Sequence, residues 1–344
     1  MSKNVKHADL TENVPALDIQ DLVIHYVLDH ETVHAVNGIT LQIEKGKILG
    51  LVGETGAGKT STARAILNLV ASPPGVIRQG SIRVNGHDML RQSKAQMEKL
   101  RGTQAAMIFQ DPMSALNPLF KIGRQITEAL LLHTRLSKSE AERKAKEMLE
   151  LVGISASRFN DYPHQFSGGM RQRAIIAMAL SCNPHLLIAD EPTTALDVTI
   201  QAQVLDMMRD LQKKFGMATL LITHDLGIVA ETCDDVAVMY AGSIVEKGAV
   251  EEVFNSTLHP YTEGLFNSLP NIEDRRHQLK PIYGLMPDPT DLPSGCAFAS
   301  RCAYATPACT STPQKDRWVS KTHAIRCSRY DEPGFHIERR PSDA

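Results

Sequence analysis

Gly53-Glu54-Thr55-Gly56-Ala57-Gly58-Lys59-Thr60 reads G-x-x-x-x-G-K-T, a phosphate-binding loop when a strand precedes it and a helix follows. Both neighbours are present. Ile48 to Val52 is apolar throughout, as a strand covered on both faces is, and the chain from about Thr60 is expected to be helical. The glycines allow backbone N–H groups to wrap phosphate oxygens without a Cβ in the way, and a helix N-terminus adds positive charge. In such a loop Lys59 reaches the β- and γ-phosphates and the Thr60 hydroxyl ligates Mg²⁺.

Working outward, Leu17 to Tyr26 alternates apolar and polar residues, as do Ile39, Leu41 and Ile43 before a turn at Gly46, so strands precede the loop. Downstream, Ser137 and Glu140 form a capping box for a helix carrying Ala145, Met148, Leu149 and Val152 on one face and ending at Gly153. A helix starting near Ser167 stops before Pro184, and Leu186 to Ala189 follows as a buried strand. Ile200, Val204, Met208 and Leu211 mark another helix, closed by Gly216 and followed by a strand over Thr219 to Ile222. Strands alternating with helices imply a mostly parallel α/β core. Val236–Tyr240 and Ser243–Lys247 then flank Ala241-Gly242 as a hairpin.

In a parallel sheet, residues just past the strand ends share one ligand-facing edge. Asp190 and Glu191 follow one buried strand, His224 follows the next, and Gln110 follows the short apolar run of M-I-F-Q-D-P. Each alone is an ordinary loop residue; beside a P-loop they become candidates. Asp190 would hold Mg²⁺, Glu191 would polarise an attacking water, His224 would contact the γ-phosphate, and the Gln110 amide would meet both metal and water. Gln165 to Arg173, Q-F-S-G-G-M-R-Q-R, adds a second anion cradle, with Ser167 as N-cap and Gly168 and Gly169 in the first helical turn.

The chain has 344 residues, 42% hydrophobic and 22% charged, with 37 Lys+Arg against 39 Asp+Glu. That is ordinary globular usage with room for about two domains, and the net charge of −2 gives no field for nucleic acid or anionic lipid. The longest uncharged apolar stretch, Ala174 to Cys182, is far too short to span a bilayer, and the N-terminus has no apolar signal core. A cytoplasmic site of action is expected. Ten of the 18 prolines lie from Pro260 onward, so a boundary is expected near Ser256.

Taken in order, G-E-T-G-A-G-K-T, Gln110, S-G-G-M-R-Q, L-L-I-A-D-E, Ala195-Leu196-Asp197 and His224 resemble the motif set of ABC transporter ATPases: Walker A, Q-loop, signature, Walker B, D-loop and H-switch. Phe166 and Met170 depart from the commonest signature, L-S-G-G-Q. Q-D-P-M-S-A-L-N-P at 110–118, Y-P-H-Q-F-S-G-G-M-R-Q-R at 162–173 and A-D-E-P-T-T-A-L-D-V-T-I-Q-A-Q at 189–203 narrow the likeness to the dipeptide/oligopeptide and nickel importers. His259-Pro260-Tyr261-Thr262 opens what resembles that subgroup's C-terminal extension.

The resemblance implies an α/β P-loop core with an antiparallel β-subdomain, a helical subdomain and a small irregular, Cys-containing extension. The implied layout is a tail over 1–16, a nucleotide-binding domain over 17–255 with its helical part at about 112–170, the extension over 256–330 and a tail over 331–344. It implies ATP held by Tyr26, Gly53, Glu54, Thr55, Gly56, Ala57, Gly58, Lys59, Thr60, Ser61 and Gln110, with Tyr26 against adenine. Mg²⁺ would be held through Thr60, Gln110 and Asp190, with Glu191 and His224 catalytic. Two ATPase subunits, of different chains in most of the subgroup, would sandwich ATP head to tail. Ser167, Gly168, Gly169 and Asp197 would then serve the partner's nucleotide. Two membrane permeases would dock on the helical region from Pro112 to Tyr162, an extracytoplasmic binding protein would deliver cargo, and the chain would lie on the cytoplasmic face of the inner membrane. ATP-powered import of di- or oligopeptides is the expected function. Nickel or another small solute is the alternative, and a non-transport ABC ATPase is the weaker one: Gln110 and Ser167 lie only 57 positions apart, too few for the coiled coil of the DNA-repair members.

Cys296, Cys302, Cys309 and Cys327 give C-x5-C-x6-C-x17-C in the proline-rich extension. They could hold a [4Fe–4S] cluster, as some peptide-importer ATPases do there, or zinc, or remain reduced thiols. Cys182 and Cys233 are expected to be small buried apolar residues.

Overall fold

The computed structural model describes residues 14–111, 115–194, 196–268 and 280–337. The expectations for Ala195, for the start of the helical region at 112–114, and for tail residues 1–13 and 338–344 lie outside them.

Two sheets organise the chain. The smaller is antiparallel, in the order β2 (Thr32–Ile43), β1 (Leu17–Val27), β4 (Gly75–Val84), β5 (His87–Asp88). The larger runs β11 (Arg317–Trp318), β12 (Ala324–Ile325), β10 (Ser243–Ala249), β9 (Asp235–Tyr240), β3 (Ile48–Val52), β8 (Ala218–Thr223), β7 (Leu186–Asp190), β6 (Ala105–Ile108). From β9 to β6 every pairing is parallel. The chain therefore leaves β3, β6, β7 and β8 on one shared edge, and that edge is where the candidate residues emerge.

Every residue of β3, β7 and β8 is buried, which is why these segments read as unbroken apolar runs. One face of them packs with Ile19, Leu22, Ile24 and Ile82 of the antiparallel sheet and with Ile66 of α1 (Lys59–Ile66). β4 is less legible: V-I-R-Q-G-S-I-R-V mixes cations into the strand, and Gly80 turns the backbone to φ 98° where its Cβ would fall 2.6 Å from the Asp21 carbonyl oxygen. The short α2 (Lys94–Leu100) follows behind a Ser93 capping box.

The helical layer comprises α3 (Ile122–His133), α4 (Lys138–Leu151) and α5 (Gly168–Leu180), which share a second core of Ile122, Ile126, Leu130, Ala145, Leu149, Phe166 and Ile175. Ser137 caps α4 as expected, its N–H donating to Glu140 Oε2 at 2.8 Å. Phe166, the residue that departs from the commonest signature, is 2% exposed in this core, so the change fills a packing position. α6 (Val198–Phe215) ends at Gly216 with φ 62°, and α7 (Leu226–Thr232) leads into the β9–β10 hairpin. Ala241 and Gly242, both with positive φ, form its turn.

Past the expected boundary the chain stays on the main fold. After α8 (Val250–Asn255) and α9 (Pro260–Asn267), it runs through α10 (Pro307–Ser311) and adds β11 and β12 to the large sheet, with β12 antiparallel to β10. Tyr240, Tyr261 and Phe298 pack together in the third core, Tyr240 and Phe298 edge to face and the other two ring pairs tilted. In the stretch expected to be a tail, Phe335 lies between Tyr304 and Tyr330 and Ile337 is buried. Cys182 and Cys233 pack half-buried against the helical core, and burial pushes Cys233 up to about 12.

The extension is pinned by fully buried Glu246 of β10. Its carboxylate accepts from the backbone N–H groups of Leu258 and His259, and it meets His323 Nε2 at 2.8 Å. His259, 1% exposed, uses Nδ1 as acceptor for the Tyr261 N–H at the start of α9. Burial lowers its pKa from 6.5 to about 4. The unfolded chain thus binds the extra proton first, and the His259 contribution falls away as pH drops from about 6.5 to about 4, by up to ~3 kcal/mol. Denaturant melts across that range should show the loss, and His259→Asn, which keeps a cap but cannot titrate, should flatten it. An unchanged slope in the variant would remove His259 as the cause.

Candidate functional site

The loop after β3 closes tightly on itself. Gly53, Gly56 and Gly58 have φ of 154°, 86° and 104°, a region open to glycine. A Cβ on Gly53 would stand 2.1 Å from the Met239 carbonyl oxygen, and one on Gly58 2.4 Å from that of Ala35. The loop's turns therefore require glycine at both positions. Lys59 and Thr60 open α1, at the positive end of the helix dipole. Lys59 is 7% exposed and donates from Nζ to the carbonyl oxygens of Gly53 (2.6 Å) and Glu54 (3.0 Å). Burial lowers its pKa, against the opposing pull of Glu191, Asp190 and Glu54.

Thr60 Oγ1 donates to Asp190 Oδ1 at 3.3 Å, linking the loop to the end of β7. Burial raises the Asp190 pKa, and neighbouring Glu191 adds to that while the Thr60 hydrogen bond opposes it. Glu191 has φ 47°, an uncommon conformation for a side chain of its size. Its carboxylate gathers three segments: Gln110 Nε2 donates to Oε2 at 2.7 Å, Thr194 Oγ1 donates to the same oxygen at 3.1 Å, and His224 Nδ1 lies 3.4 Å from Oε1. Backbone strain at a residue with this many polar partners marks a functional position more often than a structural one.

The Q-F-S-G-G segment is built as a separate face. Ser167 caps α5 by accepting from the Met170 N–H at 3.3 Å, and Asp197 caps α6 by accepting from Ile200 N–H at 3.0 Å. Ser167, Gly168, Gly169, Leu196 and Asp197 line one open cavity, which shares no residue with the P-loop. A Cβ on Gly169 would lie 2.7 Å from Ile200 Cγ2, so glycine lets α5 and α6 approach there. Tyr26 packs its ring on the first core and places its hydroxyl 3.1 Å from Ser61 Oγ, one residue past Thr60.

The ABC transporter family matches residues 36–194, and the C-terminal region of oligopeptide/dipeptide transporters matches residues 245–309. The Bacillus subtilis oligopeptide transport ATP-binding protein OppD is 49% identical over 313 residues, covering 90% of this chain and 87% of that one. The chain belongs to the ATP-binding subunits of the oligopeptide/dipeptide ABC transporters. The B. subtilis oligopeptide transport ATP-binding protein AppD is 47% identical over 320 residues, covering 92% of this chain and 98% of its own. Among solved structures, cbiO1 from Clostridium perfringens, part of the ABC transporter complex cbiONQ, superposes with a TM-score of 0.62 at 26% identity, over 71% of this chain and 92% of that one.

An ABC ATPase works on ATP with Mg²⁺, and the residues of this ABC ATPase fit both. The loop keeps its phosphate-binding turns only with glycine at Gly53 and Gly58, and Thr60 with Asp190 offers two hard oxygen donors beside it. The four extension cysteines fit a metal less well. Among the described residues no group of three or more His, Cys, Asp or Glu side chains is placed to hold a metal ion. The [4Fe–4S] or zinc site expected of Cys296, Cys302, Cys309 and Cys327 is therefore not supported. The thiols are electrostatic neighbours, but burial first and one another second push Cys302 up to about 12 and Cys327 up to about 11. The Cys309 sulfur accepts from the Thr306 N–H at 3.4 Å.

Sequence reasoning missed three residues at this site. Thr194 stood inside a quoted motif string without a role. Tyr261 and Arg301 belong to the extension, and no spacing rule connects them to the P-loop, yet both touch Glu54.

Proposed function

We propose that this chain is the ATP-hydrolysing subunit that drives import of di- and oligopeptides through separate membrane permeases. The observation that carries the reading is the convergence of Gln110, Thr194 and His224 on Glu191 beside the Thr60–Asp190 pair. A carboxylate so held can orient a water and take its proton as the γ-phosphoryl bond breaks. Lys59 and the loop N–H groups orient the phosphates, and His224, on the open side of Glu191, contacts the γ-phosphoryl group. Thr60, Asp190 and Gln110 would hold Mg²⁺, which when bound neutralises charge on the phosphates. Tyr26 flanks the adenine.

The signature face supports a head-to-tail pair. Ser167, Gly168, Gly169 and Asp197 line an open cavity apart from the P-loop of their own chain, so a second ATPase subunit supplies the nucleotide they meet. Ser167→Arg in the assembled transporter is expected to abolish turnover while its own P-loop keeps its affinity for MgATP. Parallel loss of affinity would place Ser167 in its own chain's site. Among the described residues no helix is long and apolar enough to cross a membrane; in this reading the permeases supply the span and the chain works at the cytoplasmic face of the membrane. Phe109, next to Gln110 in the chain, and Leu119 are exposed apolar residues, and in this reading the permease helices dock on the Gln110 loop and the helical region.

The test is ATP turnover by the transporter reconstituted in vesicles with its permeases and an extracytoplasmic binding protein. Turnover is expected to rise with added di- or oligopeptide. A response to nickel alone would move the cargo to metal, and absence of turnover would remove the ATPase reading.

A further inference from the structure

A carboxylate inside a loop that holds phosphates is an electrostatic liability, because like charges brought together in a partly dry site repel. Glu54 is such a residue, second in the P-loop and 30% exposed. The structure gives it a counter-ion from far along the chain. Arg301 Nη1 lies 3.2 and 3.0 Å from the two Glu54 carboxylate oxygens and 3.2 Å from the Tyr240 hydroxyl, with the Arg301 side chain only 5% exposed. Its other nitrogens donate to the backbone carbonyls of Tyr283 (3.0 Å) and Ile282 (3.2 Å), so the guanidinium is fixed on every side. The Glu54 N–H donates to the hydroxyl of Tyr261, which is fully buried, at 2.9 Å. The strap then passes over the loop: Met286 Cε would stand 3.1 Å from a Cβ on Gly56, and the Pro289 carbonyl accepts from the His34 N–H at 2.8 Å.

We propose that Arg301 is a positioning residue for nucleotide binding. It neutralises Glu54, and together with Tyr261 it holds the first turn of the P-loop in its phosphate-receiving shape. The C-terminal extension is thereby part of the ATP site, and any movement of the 282–301 strap is transmitted to the phosphate loop. This rests on the reading that residues 53–60 bind MgATP. Glu54 and Lys59 share one loop: the Glu54 carbonyl accepts from Lys59 Nζ, so a Glu54 side chain without its counter-ion also competes for the lysine that the phosphates need.

The experiment is MgATP affinity, by calorimetry on the full-length chain, for the unaltered protein, Arg301→Met, Glu54→Gln and the double variant. Arg301→Met should weaken MgATP binding about tenfold or more, a change of ~1.4 kcal/mol or greater. With the Glu54 charge removed its counter-ion is no longer needed, so the double variant should bind MgATP about as Glu54→Gln does and recover most of what Arg301→Met loses. A merely structural brace predicts the opposite pattern, with the double variant no better than Arg301→Met. That result, or an Arg301→Met affinity equal to the unaltered chain, overturns the proposal. If Arg301→Met does not fold, Arg301→Lys, which keeps the charge, should hold affinity within a few-fold, and an Arg301→Lys affinity tenfold or more below the unaltered chain would itself refute the idea. Failure of the unaltered chain to bind MgATP would instead strike the P-loop reading, so the two failures are distinct.

Discussion

Glu191→Gln is expected to bind MgATP as the unaltered chain does and to hydrolyse it at least about a hundredfold more slowly, the scale of a lost general base. Glutamine keeps the shape of the side chain and can still meet Gln110, Thr194 and His224, which hold the carboxylate at 2.7, 3.1 and 3.4 Å. It cannot take a proton from water. The backbone at φ 47° constrains both residues alike, so the fold and the loop geometry should survive. Single-turnover phosphate release beside a nucleotide-binding titration separates the two effects, and normal turnover in the variant would remove Glu191 from its role.

Lys59→Ala is expected to weaken MgATP binding about a hundredfold or more, the combined scale of two or three charge-assisted hydrogen bonds to phosphate. Lys59 pairs with backbone carbonyls at 2.6 and 3.0 Å, and burial works against its charge. Those partners are weaker than phosphate oxygens, so the ammonium is free to turn toward a nucleotide. The same burial means that folding gains little from the lysine, and thermal melting should move little in the variant. Loss of binding together with a collapsed melt would instead point to a structural lysine.

Much of this site was legible in the sequence because its parts are local. The P-loop, the buried strands β7 and β8 and the Ser137 cap each declare themselves within a dozen residues, and the parallel sheet then brings Gln110, Asp190, Glu191 and His224 to one edge. Elements that mix charge with apolar residues, such as β4, carry no clean period. Arg301 lies 247 positions from Glu54, and no local pattern can report such a pair. The cysteines are a different case: the family resemblance offers them a cluster as one reading beside zinc or reduced thiols, and among the described residues no ligand set is placed to hold a metal.

Uptake of labelled di- and oligopeptides by source cells whose only copy of the gene carries Lys59→Ala is the most direct test of the account. It predicts that peptide uptake is lost while the altered protein is present at normal abundance. Peptide uptake at the unaltered rate in those cells would contradict it.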